Sequence, residues 1–273
     1  MKNLLILITA FIALGCSSTS NQESESQSLA TQVELKTTKG TIILELSDKT
    51  PLHKENFIKI VNEGWLDSML FHRVLEGFVV QAGQYDSLKM AGMDSATMES
   101  MDYRVPAEFD TSLFHKRGAL GAARTGNPER ASSSLSFYFV QRGPRKDSLI
   151  DTDEKRINSW LKDNYFVNSP ENKNWKDSLL ALEAAEEWEG FYALSDTISK
   201  MAQTLELEPY AIPEHQRDVY RTLGGTPHLD QNYTVFGEVI QGMNVVDSIA
   251  AVEVNAAGLP DQNVYILSAR ILE

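Results

Sequence analysis

Two short stretches near the start of the chain alternate apolar and polar residues with the period of a β-strand. Both lie between Val33 and Leu46 (VELKTTKGTIILEL), and Lys39-Gly40 separates them. A glycine between two alternating runs is typical of a tight turn. The pattern therefore predicts an antiparallel hairpin.

The segment 71–83 (FHRVLEGFVVQAG) continues this alternation on both sides of a break at Gly77. Such a pattern predicts two strand pieces joined at a bulge or kink. Arg73 stands in the first piece, on a sheet face that it would share with Phe78 and Gln81. The spacing alone fits equally well a surface arginine on a half-buried strand.

A helical spacing of apolar residues first appears after Thr50-Pro51, a pair typical of a capped helix start. Phe57, Ile60 and Val61 fall on one face of this predicted helix, and Gly64 ends it. Strands and helix together predict a mainly β domain that carries helices on its surface.

The first residues indicate a targeting segment rather than a part of the folded domain. Lys2 precedes an apolar run from Leu4 to Leu14, and Gly15 precedes Cys16, which is the only cysteine. Such a run is too short to span a hydrocarbon core of about 30 Å as a permanent helix. It indicates a lipoprotein signal peptide over 1–15, with Cys16 as the lipidation site and 16–30 as a flexible tether. An uncleaved, disordered start is the alternative.

Composition and motifs argue against several classes of function. The 273 residues carry a net charge of −13, so no basic surface for nucleic acid is expected. The five histidines form no zinc-binding pattern, and no nucleotide-binding glycine loop or serine-hydrolase motif occurs. We therefore expect neither a metal nor a cofactor.

Five stretches, in order, resemble the cyclophilins, a β-barrel family of peptidyl-prolyl cis/trans isomerases. The segment 71–83 carries the most specific of these resemblances. The others are the hairpin, the Thr50-Pro51 helix with Glu55-Asn56-Phe57, the segments GALGAAR (118–124) and ASSSLSFYFV (131–140), and the block TPHLDQNYTVFGEV (226–239).

The resemblance implies a closed antiparallel eight-stranded barrel with two flanking helices, over residues 31–273. It also implies isomerisation of X-Pro bonds, with Arg73 as the catalytic residue. The substrate-binding residues that it implies are Phe78, Val79, Gln81, Ala123, Arg124, Ser136, Tyr138, His228, Leu229 and Tyr233.

Four of these positions depart from the usual family residues. Ser136 replaces a glutamine, which removes one hydrogen bond to the arginine or the substrate, or leaves it to water. His228 stands in place of a tryptophan, Val79 in place of a methionine and Arg124 in place of an asparagine. Reduced but not abolished activity is therefore expected.

A helical insertion is predicted at about 144–222, where the resemblance stops. Its helices are expected from Asp151 to Leu161, from Ser169-Pro170 through a stripe that drifts near Glu186, and from Pro213 to Leu223. The insertion is interpreted either as a cap packed on the barrel or as a docking surface for client proteins.

The whole pattern predicts an isomerase that acts on proline-containing, unfolded or extracytoplasmic proteins. We expect it to be monomeric and tethered by its lipid to a membrane of a bacterial cell envelope, facing the periplasm or the exterior. The alternative function is a membrane-tethered chaperone or scaffold that binds proline-containing segments with little isomerase activity.

Overall fold

The structure is a computed structural model that describes residues 30–84 and 92–272. The predicted signal peptide, Cys16 and all of the predicted tether except Ala30 lie outside these residues. Within them, no helix has the length and apolarity that crossing a membrane requires.

Nine strands form one antiparallel sheet, and two short strands form a second ladder. In chain order the strands are β1 (Gln32–Thr37), β2 (Gly40–Leu46), β3 (Met69–Leu70), β4 (Arg73–Leu75), β5 (Val79–Ala82), β6 (Arg104–Val105), β7 (Ala119–Ala122), β8 (Ser132–Ser133), β9 (Phe137–Val140), β10 (Val235–Gln241) and β11 (Tyr265–Leu272). The main sheet runs β3-β11-β1-β2-β10-β7-β9-β5-β4, and β6 pairs with β8. The predicted hairpin is β1 and β2, with Thr37 opposite Gly40.

The sheet curls around one apolar core but does not close, so the predicted closed eight-stranded barrel is wrong. Met69 on β3 and Val74 on β4 belong to the same buried cluster although their strands form opposite edges. These strands are consecutive along the chain, with two residues between them, and they are not paired with each other. Two hydrogen bonds to the segment before β11 lie at this gap: Phe71 N donates to Val264 O, and Val74 N donates to Gly258 O.

Seven α-helices surround the sheet among the described residues. They are α1 (Pro51–Asn62), α2 (Ser95–Met101), α3 (Asp147–Asn168), α4 (Lys173–Ala184), α5 (Trp188–Ala202), α6 (Glu214–Thr222) and α7 (Met243–Ala250). Two of them, α1 and α7, bury apolar faces against the core enclosed by the sheet, for example through Phe57 and Val246.

The start of α1 is capped from a distant segment rather than by Thr50, whose side chain makes no capping bond. The carboxylate of Glu108 accepts hydrogen bonds from Leu52 N and His53 N, at 3.1 and 3.0 Å. A carboxylate at a helix N-terminus accepts hydrogen bonds from otherwise unpaired N–H groups, and its negative charge interacts favourably with the positive end of the helix dipole. Gly64, with φ +69°, follows the end of the helix as expected.

The helical insertion consists of α3 to α6. The helix predicted from Asp151 to Leu161 is the middle of α3, and Ser169 is followed by a 3₁₀ turn (Pro170–Asn172) before α4. The single long helix predicted beyond it is two helices, because the chain breaks at Glu186, whose φ is +56°. That break explains the drift of the apolar stripe.

The two ends of the insertion meet. A Cβ atom placed on Gly224, with φ +103°, would lie 2.2 Å from the carbonyl carbon of Gly143. Only a glycine permits this approach. The insertion therefore leaves and rejoins the sheet at one place.

Candidate functional site

One cavity of about 250 Å³ collects almost all the residues that the resemblance pointed to. Its walls come from β4, β5, β9, α3, the segment that follows β7 and the segment that precedes β10. The lining residues are Arg73, Phe78, Val79, Gln81, Ala123, Arg124, Tyr138, Arg156, Trp160, His228, Leu229 and Tyr233. Of the predicted site residues that the structure describes, only Ser136 is not among them.

Strand register sets the polar floor of this cavity. Arg73 on β4 stands opposite Gln81 on β5, which in turn stands opposite Tyr138 on β9. Directly opposed residues share a sheet face, so these three side chains form a row. Within the row, Arg73 Nη1 lies 3.4 Å from Gln81 Oε1, a long hydrogen bond that restrains the guanidinium.

The row continues to Gly121 on β7, and this glycine makes room for Tyr138. A Cβ atom on Gly121 would fall 2.4 Å from the ring of Tyr138. The tyrosine ring thus lies across β7, where any larger residue would displace it.

Aromatic rings form the apolar part of the cavity. The rings of Tyr138 and Tyr233 meet edge to face, with centroids 6.2 Å apart. His228 stacks on Phe78 at 5.5 Å with an interplanar angle of 14°. Both arrangements are favoured geometries for aromatic pairs and fix the ring orientations.

Beneath Tyr138 runs a buried chain of hydrogen bonds that the sequence reasoning missed. Tyr138 OH lies 2.8 Å from His115 Nε2, and His115 Nδ1 lies 2.8 Å from Asp230 Oδ1. The other carboxylate oxygen of Asp230 accepts a hydrogen bond of 2.5 Å from Tyr220 OH on α6. Because the carboxylate accepts from Nδ1, a neutral His115 accepts from Tyr138 at Nε2.

Burial raises the pKa of Tyr138 and of Tyr220 well above the ordinary value for tyrosine. Both hydroxyls therefore stay protonated and donate at neutral pH. The sequence analysis considered His115 only as a metal ligand. No local pattern links this histidine to Asp230 or Tyr220, which lie over a hundred residues farther along the chain.

Ser136 lies beside the site without entering it. Its hydroxyl donates to the carbonyl oxygen of Gly83, and the residue borders a neighbouring cavity of about 460 Å³ that shares Gln81, Ala123 and Arg124 with the first. The hydroxyl is therefore occupied away from Arg73. Its predicted part in substrate binding stays a prediction.

The insertion supplies Arg156 and Trp160, which the sequence analysis did not place in the site. The guanidinium carbon of Arg156 lies 4.6 Å from the centroid of the Trp160 ring. The predicted helix 151–161 already contained both residues, and helical spacing put Trp160 on its apolar face. Periodicity does not reveal which surface such a face covers, so this contact had no local signal.

Another contact from α3 supports His228. Asp153 pairs with Arg145, and its Oδ1 lies 3.4 Å from His228 Nδ1 without forming a hydrogen bond. His228 thus lies between α3 and Phe78. The insertion packs on the site as the predicted cap would.

Arg124 is held at the rim, and no carboxylate of the described residues pairs with it. Its Nε and Nη2 donate to the backbone and side-chain oxygens of Asn232, at 3.0 and 2.6 Å, and its guanidinium lies 4.8 Å from the centroid of the Tyr233 ring. Burial lowers its pKa, yet a guanidinium remains charged at neutral pH.

Comparison with known proteins agrees with this geometry. The family profile described as "Cyclophilin type peptidyl-prolyl cis-trans isomerase/CLD" matches residues 32–167 and 214–271. The chain belongs to this family. The residues between the two matched ranges, 168–213, contain α4 and α5 of the insertion.

Curated relatives carry the same activity in their names. The "Peptidyl-prolyl cis-trans isomerase" of Acinetobacter baylyi is 26% identical, over 88% of this chain and 85% of the relative. A "Putative peptidyl-prolyl cis-trans isomerase" of Staphylococcus epidermidis is 27% identical, over 89% and 92%. A "Putative bifunctional phosphatase/peptidyl-prolyl cis-trans isomerase" of Streptococcus pyogenes is 26% identical over 89% of this chain, which spans only 39% of that protein.

Among solved structures, a cyclophilin-type isomerase of Cryptosporidium parvum aligns with a TM-score of 0.52 over 89% of this chain and 98% of its own. At 14% identity, this likeness concerns the fold alone. A second structure of that protein, obtained in the presence of the dipeptide Ala-Pro, aligns with a TM-score of 0.50 at 13% identity, over 89% of this chain and 99% of its own. The predicted family and enzyme class, a cyclophilin-type peptidyl-prolyl isomerase, are confirmed.

Proposed function

We propose that this cyclophilin isomerises X-Pro bonds in extracytoplasmic proteins and that Arg73 is its catalytic donor. The observation that carries the proposal is the union, in one cavity, of an arginine held by Gln81 and an apolar wall of aromatic residues. A proline ring requires such a wall, with one polar edge for its peptide bonds.

The chemistry of the reaction gives Arg73 its role. Rotation about an X-Pro bond is opposed by a barrier of about 18–20 kcal/mol, because amide resonance is lost. In the twisted transition state the proline nitrogen regains a basic lone pair. A donor aimed at that nitrogen stabilises the transition state more than either planar ground state.

The rest of the cavity binds and orients. Phe78, Val79 and Leu229 provide apolar contacts for the proline ring, while Gln81 and Arg124 face the peptide backbone. The structure obtained in the presence of Ala-Pro, from a relative with the same fold, supports proline-containing peptides as ligands. The reaction requires no covalent intermediate.

The extracytoplasmic part of the proposal rests on the N-terminal pattern. Acylation of Cys16 would tether the enzyme to a bacterial membrane, and a bacterial lipoprotein carries several chains because a single acyl chain holds only marginally. Cys16→Ser should move the protein from the membrane to the soluble fraction or leave it unprocessed. Unchanged mass and fractionation would contradict lipidation.

The catalytic proposal is tested by NMR exchange spectroscopy on an Ala-Pro tetrapeptide, for which uncatalysed exchange takes tens of seconds or longer. Removing Arg73 (Arg73→Ala) should lower kcat/KM by about 10²–10³-fold, as for other preorganised donors. Arg270→Ala is the matched control, because Arg270 pairs with Glu34 on the β1–β11 ladder, outside the cavity lining.

Two outcomes would contradict this assignment. If Arg73→Ala turned over the peptide as fast as the wild type, another group would be the donor. If both proteins bound the peptide but neither accelerated exchange, the chaperone or scaffold function would be correct instead.

A further inference from the structure

The arginines of this acidic protein fall into two groups. One group forms salt bridges with carboxylates: Arg104, Arg117, Arg145, Arg217, Arg221 and Arg270. The other group forms no salt bridge among the residues that the structure describes: Arg73, Arg124, Arg130, Arg142 and Arg156. Because the chain has a net charge of −13, carboxylates outnumber cationic side chains. Arginines that lack a carboxylate partner in such a chain therefore need an explanation.

All the arginines of the second group surround the candidate site. Arg73, Arg124 and Arg156 line its cavity, and the guanidinium of Arg142 lies 5.9 Å from the centroid of the Phe78 ring. Arg130 borders a further cavity, of about 210 Å³, which shares Arg124 and Trp160 with the first and is called the second cavity below. The positive charge therefore extends from the first cavity to the second.

The described part of the wall of the first cavity carries no negatively charged side chain. None of the described residues that line it is an aspartate or a glutamate. The second cavity contains one, Asp163, which accepts hydrogen bonds from Ser199 and Gln203, at 3.0 Å each. Burial raises the pKa of Asp163.

Keeping these cations apart from carboxylates is costly for the free enzyme. Burial, and then the neighbouring charge of Arg124, lower the pKa of Arg130 to about 10. Among the residues that the structure describes, the acceptors of Arg124 are neutral oxygens of Thr125 and Asn232. A carboxylate brought by a ligand would relieve this repulsion, and guanidinium groups bind carboxylates with well-defined geometry.

We propose that the site selects proline-containing segments with an aspartate or glutamate next to the proline. The acidic side chain is received by Arg156 and Arg124, one from the insertion and one from the loop after β7. This inference rests on the proposed isomerase function, and it gives the insertion a role in choosing substrates. An opposite charge on the ligand also speeds encounter with a positive cleft.

The test compares isosteric peptides that differ only in charge. Glu-Pro is paired with Gln-Pro, and Pro-Glu with Pro-Gln, in otherwise identical neutral tetrapeptides with blocked ends. Because Arg156 is exposed, we expect kcat/KM to favour one acidic peptide over its amide by about two- to fivefold at low salt. In 1 M KCl, where the screening length is about 3 Å, the ratio should approach one.

Substitutions test whether Arg156 causes the selectivity. Arg156→Gln should reduce the acid-to-amide ratio, and Arg156→Lys should retain part of it, which a purely structural role for Arg156 would not predict. Lys155→Gln is the matched control: it removes the same charge from the adjacent, exposed position on α3, outside the cavity lining. Circular dichroism verifies that each variant is folded.

Dissociation constants for the same peptides, from NMR titration, separate this inference from the proposed function. A wild type that binds the acidic peptide more tightly but accelerates no exchange would refute the isomerase function and leave the selectivity standing. Equal affinity and equal turnover for both members of each pair would overturn the selectivity. An undiminished ratio in Arg156→Gln would overturn the assignment of the selectivity to Arg156.

Discussion

The buried hydrogen-bond chain between α6 and Tyr138 makes a specific prediction for Tyr220→Phe. This substitution keeps the ring and deletes one hydroxyl, so it opens no sizeable cavity. It leaves one oxygen of Asp230 without its donor, in a site where Asp230 is 3% exposed and Tyr220 is fully buried. A buried acceptor that loses its partner costs about 1–3 kcal/mol, and more when it is charged.

We therefore expect the free energy of unfolding to fall by about 1–3 kcal/mol, measured by urea denaturation. For a domain of this size, each kcal/mol corresponds to a decrease in Tm of about 2–4 °C. Tyr192→Phe is the control, because it removes the same hydroxyl from a tyrosine of α5 that is 64% exposed. That substitution should change the stability by less than about 0.5 kcal/mol.

The same chain should couple the insertion to the floor of the site. Tyr138→Phe breaks the other end, at His115, and a double-mutant cycle with Tyr220→Phe should give an interaction energy of about 0.5–3 kcal/mol. Additive effects, or a Tyr220→Phe variant as stable as the wild type, would refute the reasoning. Either result would mean that Asp230 and His115 find other partners.

Two further predictions concern acid sensitivity and the site rim. Burial lowers the pKa of His53 below its ordinary value of 6.5, against the opposing effect of Glu108, so the unfolded state binds more protons just below pH 6.5. The contribution of His53 to stability should therefore be fully present above pH 6.5 and should fall as the pH drops below that value, by at most about 1.4 kcal/mol per pH unit. Urea denaturation at pH 7.5 and 5.5 measures this change, and an unchanged midpoint would contradict the prediction. Ser136→Gln should raise kcat/KM by about two- to tenfold if the longer side chain reaches Arg73 or the substrate. Equal or lower turnover with an unaltered fold would mean that water or another side chain already makes this hydrogen bond.

The sequence was most informative where function depends on strand register. Alternation around Gly77 was enough to put Arg73 and Gln81 on one sheet face, because the side-chain period of a strand is two and its hairpin partner is local. The family resemblance then supplied Tyr138, Leu229 and Tyr233. All of these residues line the cavity that the structure contains.

What the sequence could not supply are contacts set by packing over long separations. Closure of the sheet depends on how its edges meet, and alternation within strands carries no such information. The docking of α3 is another case, because an apolar stripe shows that a face is buried but not against what. Arg156 was out of reach for a further reason: it is exposed, and an exposed arginine on a helix resembles any other solvated residue.

The position of α3 changes how the insertion is understood. A cap that only covered the sheet would bury apolar surface and leave the cavity to the other elements. Instead, α3 presents Arg156 and Trp160 to the cavity and places Asp153 beside His228, while α6 reaches Tyr138 through Tyr220, Asp230 and His115. Excision between Gly143 and Gly224, although its ends meet, would therefore remove part of the site wall and one end of the buried chain. We infer that the insertion and the site act as one unit, because two side chains of the insertion line the cavity and a third, Tyr220, ends the hydrogen-bond chain beneath Tyr138.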